Sequence, residues 1–297
     1  MRPQADLSAL GGCNYEIFRG HITDKDDVYN AVKGCDYVIH AAAMTAIHNA
    51  RFIDFWKVNV EATDNLLEAA KQHEVKRFVY VSTANCFAPG SKDNPGTEAN
   101  GFLPWLVDSP YAYTKYVAQT TVLNAYKFSR FPSVVVAPAF MLGPRDTKPS
   151  SGRLLLYAIK NKVLFYPPGG KSFIDVEKAA AATVNALIHG HLGQAYLLAG
   201  ENLSYKEFFR LVAEIIHEKK TLLPLPKSLM AMASGTMTIA ETLTGRKYNF
   251  NRAQQRLLTQ ENYYSAQKAE KDLGLEKTDL TETVQKAIEW FKYLGMI

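Results

Sequence analysis

The sequence predicts an α/β protein with a doubly wound, Rossmann-type parallel-sheet core and a smaller, mostly helical substrate-binding region. Short runs rich in Val, Ile and aromatic residues recur through the first two thirds of the chain. Helix-length segments separate them, and this alternation is the signature of a parallel sheet covered by helices. Beyond residue 200 the pattern becomes almost wholly helical.

In order, the strand candidates are Tyr15 to Arg19, Tyr37 to Ala41, Phe78 to Ser82 and Ser133 to Ala137. Helices are predicted over 24–33, 52–73 and 109–128. Asp24 is placed to cap the first, since its side-chain oxygen can accept from the free amides of the opening turn. In the second, Val58, Leu66, Ala69 and Ala70 recur at helical spacing while Lys57, Glu61, Asp64 and Glu68 lie largely elsewhere. A Gly/Pro/Ser-rich break at Gly143 to Gly152 is long enough for a functional loop. After it come a helix from Asp175 to Ile188, a short strand from Ala195 to Ala199, and helices near 204–216, 227–243, 251–259, 265–273 and 280–294. Residues 1–145 therefore read as the sheet-bearing core, with 172–200 returning to it, and 146–171 with 201–297 as the substrate-binding region. The stretch Leu229 to Ala240 is apolar, Met-rich and uncharged; a buried helix is the first reading, with pocket lining and contact with a membrane surface as alternatives.

Composition excludes several classes. With 47% hydrophobic and 21% charged residues, the chain is neither disordered, collagenous nor a coiled coil. A net charge of +5 from scattered basic residues gives no case for nucleic acid. No run approaches the roughly 18 to 20 apolar residues of a membrane helix, and Met1 to Asp6 has no apolar signal core, so a cytoplasmic protein with no membrane partner is expected. Cys13, Cys35 and Cys86 are odd in number, widely spaced and without a neighbouring His cluster, which suggests neither disulfides nor a metal site.

The chemistry gathers around Tyr111 and Lys115, one helical turn apart in Ser109-Pro110-Tyr111-Ala112-Tyr113-Thr114-Lys115. At that spacing both side chains leave the same helix face. An adjacent ammonium favours the phenolate, bringing a tyrosine towards the range where it can exchange a proton with a carbonyl oxygen. Upstream, the apolar run Phe78 to Val81 ends in Ser82-Thr83-Ala84-Asn85. Hydroxyls at the carboxyl end of a parallel strand lie where open α/β sheets bind ligands.

These residues, with Gly20-His21-Ile22-Thr23-Asp24, His40-Ala41-Ala42-Ala43, Val58-Asn59-Val60 through Ala70, and Pro138-Ala139-Phe140-Met141-Leu142-Gly143-Pro144, give a chain that resembles the extended short-chain dehydrogenase/reductase family. That family includes nucleotide-sugar epimerases and dehydratases, dihydroflavonol reductases and 3β-hydroxysteroid dehydrogenases. The resemblance implies that Tyr111 is the general acid/base and that Lys115 lowers its pKa and holds the nicotinamide ribose. It implies that Thr83, rather than Ser82, orients the reacting oxygen and that Asn59 supports the site. Cofactor contacts implied are His21, Ile22, Ala41, Ala42, Ala43, Lys115, Pro138, Ala139 and Phe140; substrate contacts are Thr83, Ser150, Arg153 and Asp175, with Arg145 and Lys148 on the same loop suited to a phosphate or carboxylate. A homodimer through the helices carrying Asn59 and Tyr111 is implied in the same way.

The family's strand followed by Gly-x-x-Gly-x-x-Gly has no counterpart in these 297 residues. By alignment roughly 30 to 35 residues of the family pattern are lacking, including the turn that holds the pyrophosphate on helix-terminal amides. The sheet is then expected to be marginally stable, or to close by direct pairing of the runs at Tyr15 and Tyr37 or through another chain. Arg2 falls where NADP-preferring members carry an arginine, which leans the cofactor from NAD towards NADP. The leading expectation is an NAD(P)-dependent oxidoreductase interconverting a secondary alcohol and a ketone. Nucleotide-sugar epimerisation is the alternative within the fold, and a non-catalytic binding protein is the alternative outside it. Ala84 and Asn85 after Thr83 argue against dehydration, because dehydratases of the family carry an acid there.

Overall fold

The computed structural model describes residues 7–45, 50–244 and 252–297, with side chains at 233, 237–244 and 254 outside the description. Arg2, and the sequence argument for NADP that rests on it, lie outside the described residues.

The first helix, α1 (Lys25–Val32), opens as the sequence predicts, with the Asp24 side chain accepting from the amides of Asp26 and Asp27. Strand β1 (Tyr37–His40) follows, and then α2 (Phe52–Trp56), a π-helical turn (Lys57–Glu61) and α3 (Ala62–Gln72) run on as one rod. Strand β2 (Arg77–Val81), helix α4 (Pro110–Ser129) and strand β3 (Ser133–Pro138) complete the first half. Short β4 (Phe140–Leu142), α5 (Gly152–Lys160), β5 (Val163–Tyr166), β6 (Gly170–Asp175), α6 (Val176–Asn185), β7 (Ala195–Leu198), β8 (Glu201–Ser204) and α7 (Tyr205–Ile215) follow. The chain ends with β9 (Thr221–Pro224), α8 (Lys227–Thr244), α9 (Arg252–Thr259), β10 (Glu261–Asn262), α10 (Gln267–Leu273) and α11 (Leu280–Tyr293).

Among the described residues the main sheet has the order β1-β2-β3-β7, all parallel. Its inner strands β2, β3 and β7 are mostly apolar because both of their faces are covered. Phe78, Tyr80, Val135 and Ala137 pack with α1, α3 and α4 on one side, while Val79, Val134, Val136 and Leu198 pack with α6 and α10 on the other. The period of two along each strand divides the side chains between these cores.

The run Tyr15 to Arg19, predicted to be a strand, is irregular instead. It has β-forming residues but no neighbour in the sheet, and Tyr15 and Phe18 are exposed. Nor does it pair with β1, whose outward side chains Tyr37 and Ile39 are also exposed. A strand propensity is realised only where a partner supplies the ladder.

The second sheet was not legible in the sequence. In it β6 pairs in parallel with β4 and β10 and antiparallel with β8. It stands on a core of Phe173, Phe208, Phe209, Val284 and Phe291, in which Phe173 stacks on Phe208 at 4.5 Å. Between the two sheets, Gly143 adopts φ 145°, a conformation that favours glycine, and a Cβ there would collide with Val176.

At the carboxyl end of β1, His40 is buried, with Nε2 3.0 Å from Thr63 Oγ1. Thr63 gives its own proton to the Asn59 carbonyl at 2.7 Å, so His40 donates as the neutral Nε2–H tautomer. Burial first, and the charge of Lys115 second, push its pKa down to about 3. Between its folded value of about 3 and the ordinary value of 6.5 the unfolded chain binds the extra proton, so stability falls as pH drops through that window. At about 1.4 kcal/mol per unit, roughly 2 kcal/mol is lost by pH 5 from this residue. Urea titrations of wild type and His40→Gln at pH 7 and pH 5 are expected to show the smaller acid loss in the variant; equal losses would remove His40 as the cause.

Candidate active site

Three strand ends meet above the main sheet. Strand β2 ends at Val81 ahead of Ser82 and Thr83, β3 ends in Pro138 ahead of Ala139 and Phe140, and the start of β6 brings Lys171 and Ser172 beside them. Thr83, Asn85, Ala139, Phe140, Lys171 and Tyr264 line an open cleft there. Parallel pairing is the cause, since it brings the carboxyl ends of β2 and β3 to one edge.

Of the two hydroxyls, Ser82 is committed elsewhere. Its Oγ donates to Gln119 Oε1 at 2.6 Å and lies 3.3 Å from Cys86 Sγ, buried on the core side. Thr83 opens a turn of 3-10 helix, its oxygen accepting weakly from Asn85 N at 3.4 Å, and it lines the cleft.

Helix α4 starts beside Thr83. Ser109 caps it and Pro110 takes its first position, where a missing amide costs nothing. Tyr111 and Lys115 follow on one face. The expected lowering of the Tyr111 pKa is not what the structure shows. Burial first, and the nearby Cys86 second, push the phenol up to about 12, while the Thr83 hydroxyl pulls weakly the other way. Lys115 is not among the causes of this shift; its ammonium donates to the Val81 carbonyl at 2.7 Å and lies 4.1 Å from the Tyr80 ring centroid. Burial brings Lys115 itself down to about 7. The pair is thus a neutral phenol next to a lysine poised to lose its proton.

Asn59 holds the frame together. It lies on the π-helical turn, where the wider i to i+5 winding displaces a carbonyl from the usual ladder. Its side chain bonds both backbone groups of Met44, accepting from the amide at 2.7 Å and donating to the carbonyl at 3.1 Å, and also donates to Thr114 Oγ1 at 3.0 Å. One amide thereby ties the segment after β1 to α4, so its place is behind the reacting groups.

The other sequence-derived residues divide. Ala41 and Ala42 are exposed at the carboxyl edge of β1, and as methyl-bearing residues they leave the backbone approachable by a flat ligand. Pro138 is buried and Ala139 with Phe140 borders the cleft. His21 donates its amide to Asp27 at 2.8 Å, while Ile22 packs on the core beneath. Asp175 is placed differently from the expectation. Its carboxylate caps α6 by accepting from Glu177 and Lys178 amides, and it accepts from Thr283 Oγ1 at 2.8 Å, so both oxygens serve the fold. Ser150 and Arg153 are exposed and do not line the cleft that holds Thr83. Arg145, from the same loop, donates to the Ala9 carbonyl at 2.6 Å.

Sequence reasoning missed Lys171. It borders the cleft with no hydrogen-bond or acidic partner among the described residues, and burial lowers its pKa to about 8. Nothing in its local sequence marks it, because which way it faces depends on the pairing of β6. The residues present fit a nicotinamide dinucleotide: small residues clear the edge of β1, and Lys115 keeps donor capacity beyond its one acceptor, Val81.

Residues 2–199 match the NAD dependent epimerase/dehydratase family. Over 100% of its length the chain is 26% identical to sterol demethylase protein B of Methylococcus capsulatus, covering 91% of that protein. It is 30% identical to short-chain dehydrogenase/reductase family 42E member 1 of Bos taurus, across 93% of this chain and 76% of that one. The crystal structure of gox2253 superposes with a TM-score of 0.87 at 27% identity, covering 100% of this chain and 90% of the other. Together with a parallel sheet that ends in the Thr83, Tyr111 and Lys115 constellation, these matches place the chain in the NAD-dependent epimerase/dehydratase family of short-chain dehydrogenases/reductases.

Proposed function

We propose that the protein is an NAD(P)-dependent oxidoreductase that interconverts a secondary alcohol and a ketone in the cytoplasm. The observation that carries this reading is the pairing of Thr83 with Tyr111 at the carboxyl end of β2, with Lys115 behind them on the same helix face. Thr83 holds the substrate oxygen at the cleft. Tyr111, a neutral phenol at pH 7, donates its proton to that oxygen as a ketone is reduced and takes one back as an alcohol is oxidised. Lys115 feeds that exchange from the buried side, since its own proton is lightly held. A bound nicotinamide supplies or accepts the hydride, with Ala41, Ala42, Ala43, Pro138, Ala139, Phe140 and Lys115 as the residues that would hold it. The Arg2 reading makes NADPH the preferred form, expected as a lower KM than for NADH. Phe52 and Ile53 on α2 are exposed beside α4, and a homodimer through these helices belongs to the same proposal.

Tyr111→Phe is expected to lower kcat by roughly 10²- to 10⁴-fold, the usual contribution of a positioned acid/base. Wild-type oxidation should climb with pH, by up to about tenfold per unit between roughly pH 7 and 10, because the phenolate fraction grows below a pKa of about 12. Reduction should stay flat or fall over that range. Turnover in the phenylalanine variant equal to wild type would overturn the mechanism.

Lys171 gives the substrate a second anchor. A ketone bearing a carboxylate or phosphate is expected to lose about 10- to 100-fold in kcat/KM on Lys171→Gln, the scale of one charge-assisted hydrogen bond. A neutral substrate should change little. The same lysine also favours the second reading, epimerisation of a nucleotide sugar, whose diphosphate it would hold. The two separate on whether reduced cofactor accumulates in solution during oxidation, as the dehydrogenase requires, or the hydride returns to the substrate.

A further inference from the structure

The small sheet of β5 and β9 has one face packed and one face bare. Leu164 is fully buried and Leu222 leans on the second core. On the other face Val163 is 42% exposed, Phe165 49% and Leu223 40%. The parallel register pairs Phe165 with Leu223, which sets these two side chains side by side. Parallel strands normally have both faces covered, so an open apolar face here calls for an occupant.

The same surface continues into α8. The Leu225 amide donates to the Tyr166 carbonyl at 2.8 Å, which fixes the start of α8 next to the end of β5. There Met230 turns inward, but Leu229 is 53% and Met232 68% exposed. At its described start, the Met-rich stretch is thus not the simple buried helix that its composition suggested.

Charge selects the occupant. Because β5 and β9 run parallel, the residues leading into them gather at one end of the sheet. Those residues are Lys160 and Lys162 before β5, and Lys219 and Lys220 before β9. Lys160, Lys162 and Lys219 are exposed and have no acidic partner among the described residues. Lys220 is different, since it holds Glu218 at 2.8 Å and donates to the Ile159 carbonyl. Lys227 stands exposed at the start of α8, and no Asp or Glu occurs within 160–166 or 219–232.

From these features we infer that the outer face of β5 and β9, with the start of α8, docks on an anionic lipid bilayer. The exposed aliphatic and aromatic side chains enter the boundary between headgroups and acyl chains, and the lysines meet the lipid phosphates. No helix among the described residues is long and apolar enough to cross a membrane, so the attachment is peripheral. The five residue-to-residue steps from Tyr166 to Lys171 span at most about 18 Å, so a docked molecule holds its cleft close to the lipid surface. This departs from the sequence expectation of no membrane partner. It does not depend on the redox chemistry, because binding is read without turnover.

The experiment is co-sedimentation of the full chain with sucrose-loaded vesicles, either pure phosphatidylcholine or with roughly a third phosphatidylglycerol, at low and high salt. Binding is expected to the anionic vesicles, weakly to the neutral ones, and to fall as salt screens the lysines. The triple variant Lys160→Gln, Lys162→Gln, Lys219→Gln should lower the partition coefficient on the order of a hundredfold, at about fivefold per lysine. Phe165→Ser with Leu223→Ser should weaken binding while leaving the melting temperature near wild type, since both positions are exposed. No preference for anionic vesicles, or unchanged binding in both variants, would overturn the proposal. So would loss of a dimer in those variants by light scattering, which would make this face a contact between copies of the chain.

Discussion

The parallel pairing of β2 with β3 is the constraint on which the cleft depends. Phe78, Val79, Tyr80, Val134, Val135, Val136 and Ala137 are completely buried, and their alternate side chains anchor the cores on both faces of the sheet. Truncating any one of the large ones would open a cavity costing about 2 to 5 kcal/mol. That burial fixes the strand ends, which border the cleft. The Val81 carbonyl receives Lys115, Ser82 is tied down by Gln119, and Thr83 is left facing the cleft. A shift of one residue in β2 would exchange the faces to which Ser82 and Thr83 point.

Burial also sets the electrostatics. His40, Lys115 and Lys171 are all shifted towards their neutral forms and Tyr111 is held as a phenol, in every case with desolvation as the largest cause. A site of this kind stores little charge until a ligand supplies some. An anion near Lys115 or Lys171 would restore the ammonium by opposing the cost of its burial. The polar frame around Asn59 acts differently, because its neutral hydrogen bonds fix the helix bearing Tyr111 against the segment after β1 without adding charge.

The second sheet relates the cleft to the outside of the molecule. Strand β6 brings Lys171 to the cleft and Phe173 to the second core, while β5, a few residues earlier, carries the bare apolar face. One short stretch of chain thus joins a ligand-facing lysine to a surface with the chemistry of a lipid contact.

Much of the main sheet was legible in the sequence because its signals are local. Helices α1, α3, α4, α6, α7 and α11 follow from apolar spacing, and the Asp24 cap of α1 acts within its own turn. The strands β2, β3 and β7 read as apolar runs because both of their faces are covered, and β1 reads as one from its composition. Tyr111 and Lys115 were legible because a single helical turn relates them. What depends on distant partners was not legible. The Tyr15 run has strand composition but no neighbour, and β4, β5, β6, β8 and β9 are defined by pairing with strands that lie beyond intervening helices rather than by a local pattern. Asp175 looks the same in sequence whether it meets a substrate or caps α6. Lys171 has no local pattern at all, and only the pairing of β6 carries it to the cleft beside Thr83. The sequence by itself therefore determined the parallel sheet and the placement of Tyr111, the proposed proton-transfer group, one helical turn from Lys115. Tertiary structure alone decided the ionisation of that group and the partners of the cleft, because desolvation and strand pairing are properties of residues far apart in the chain.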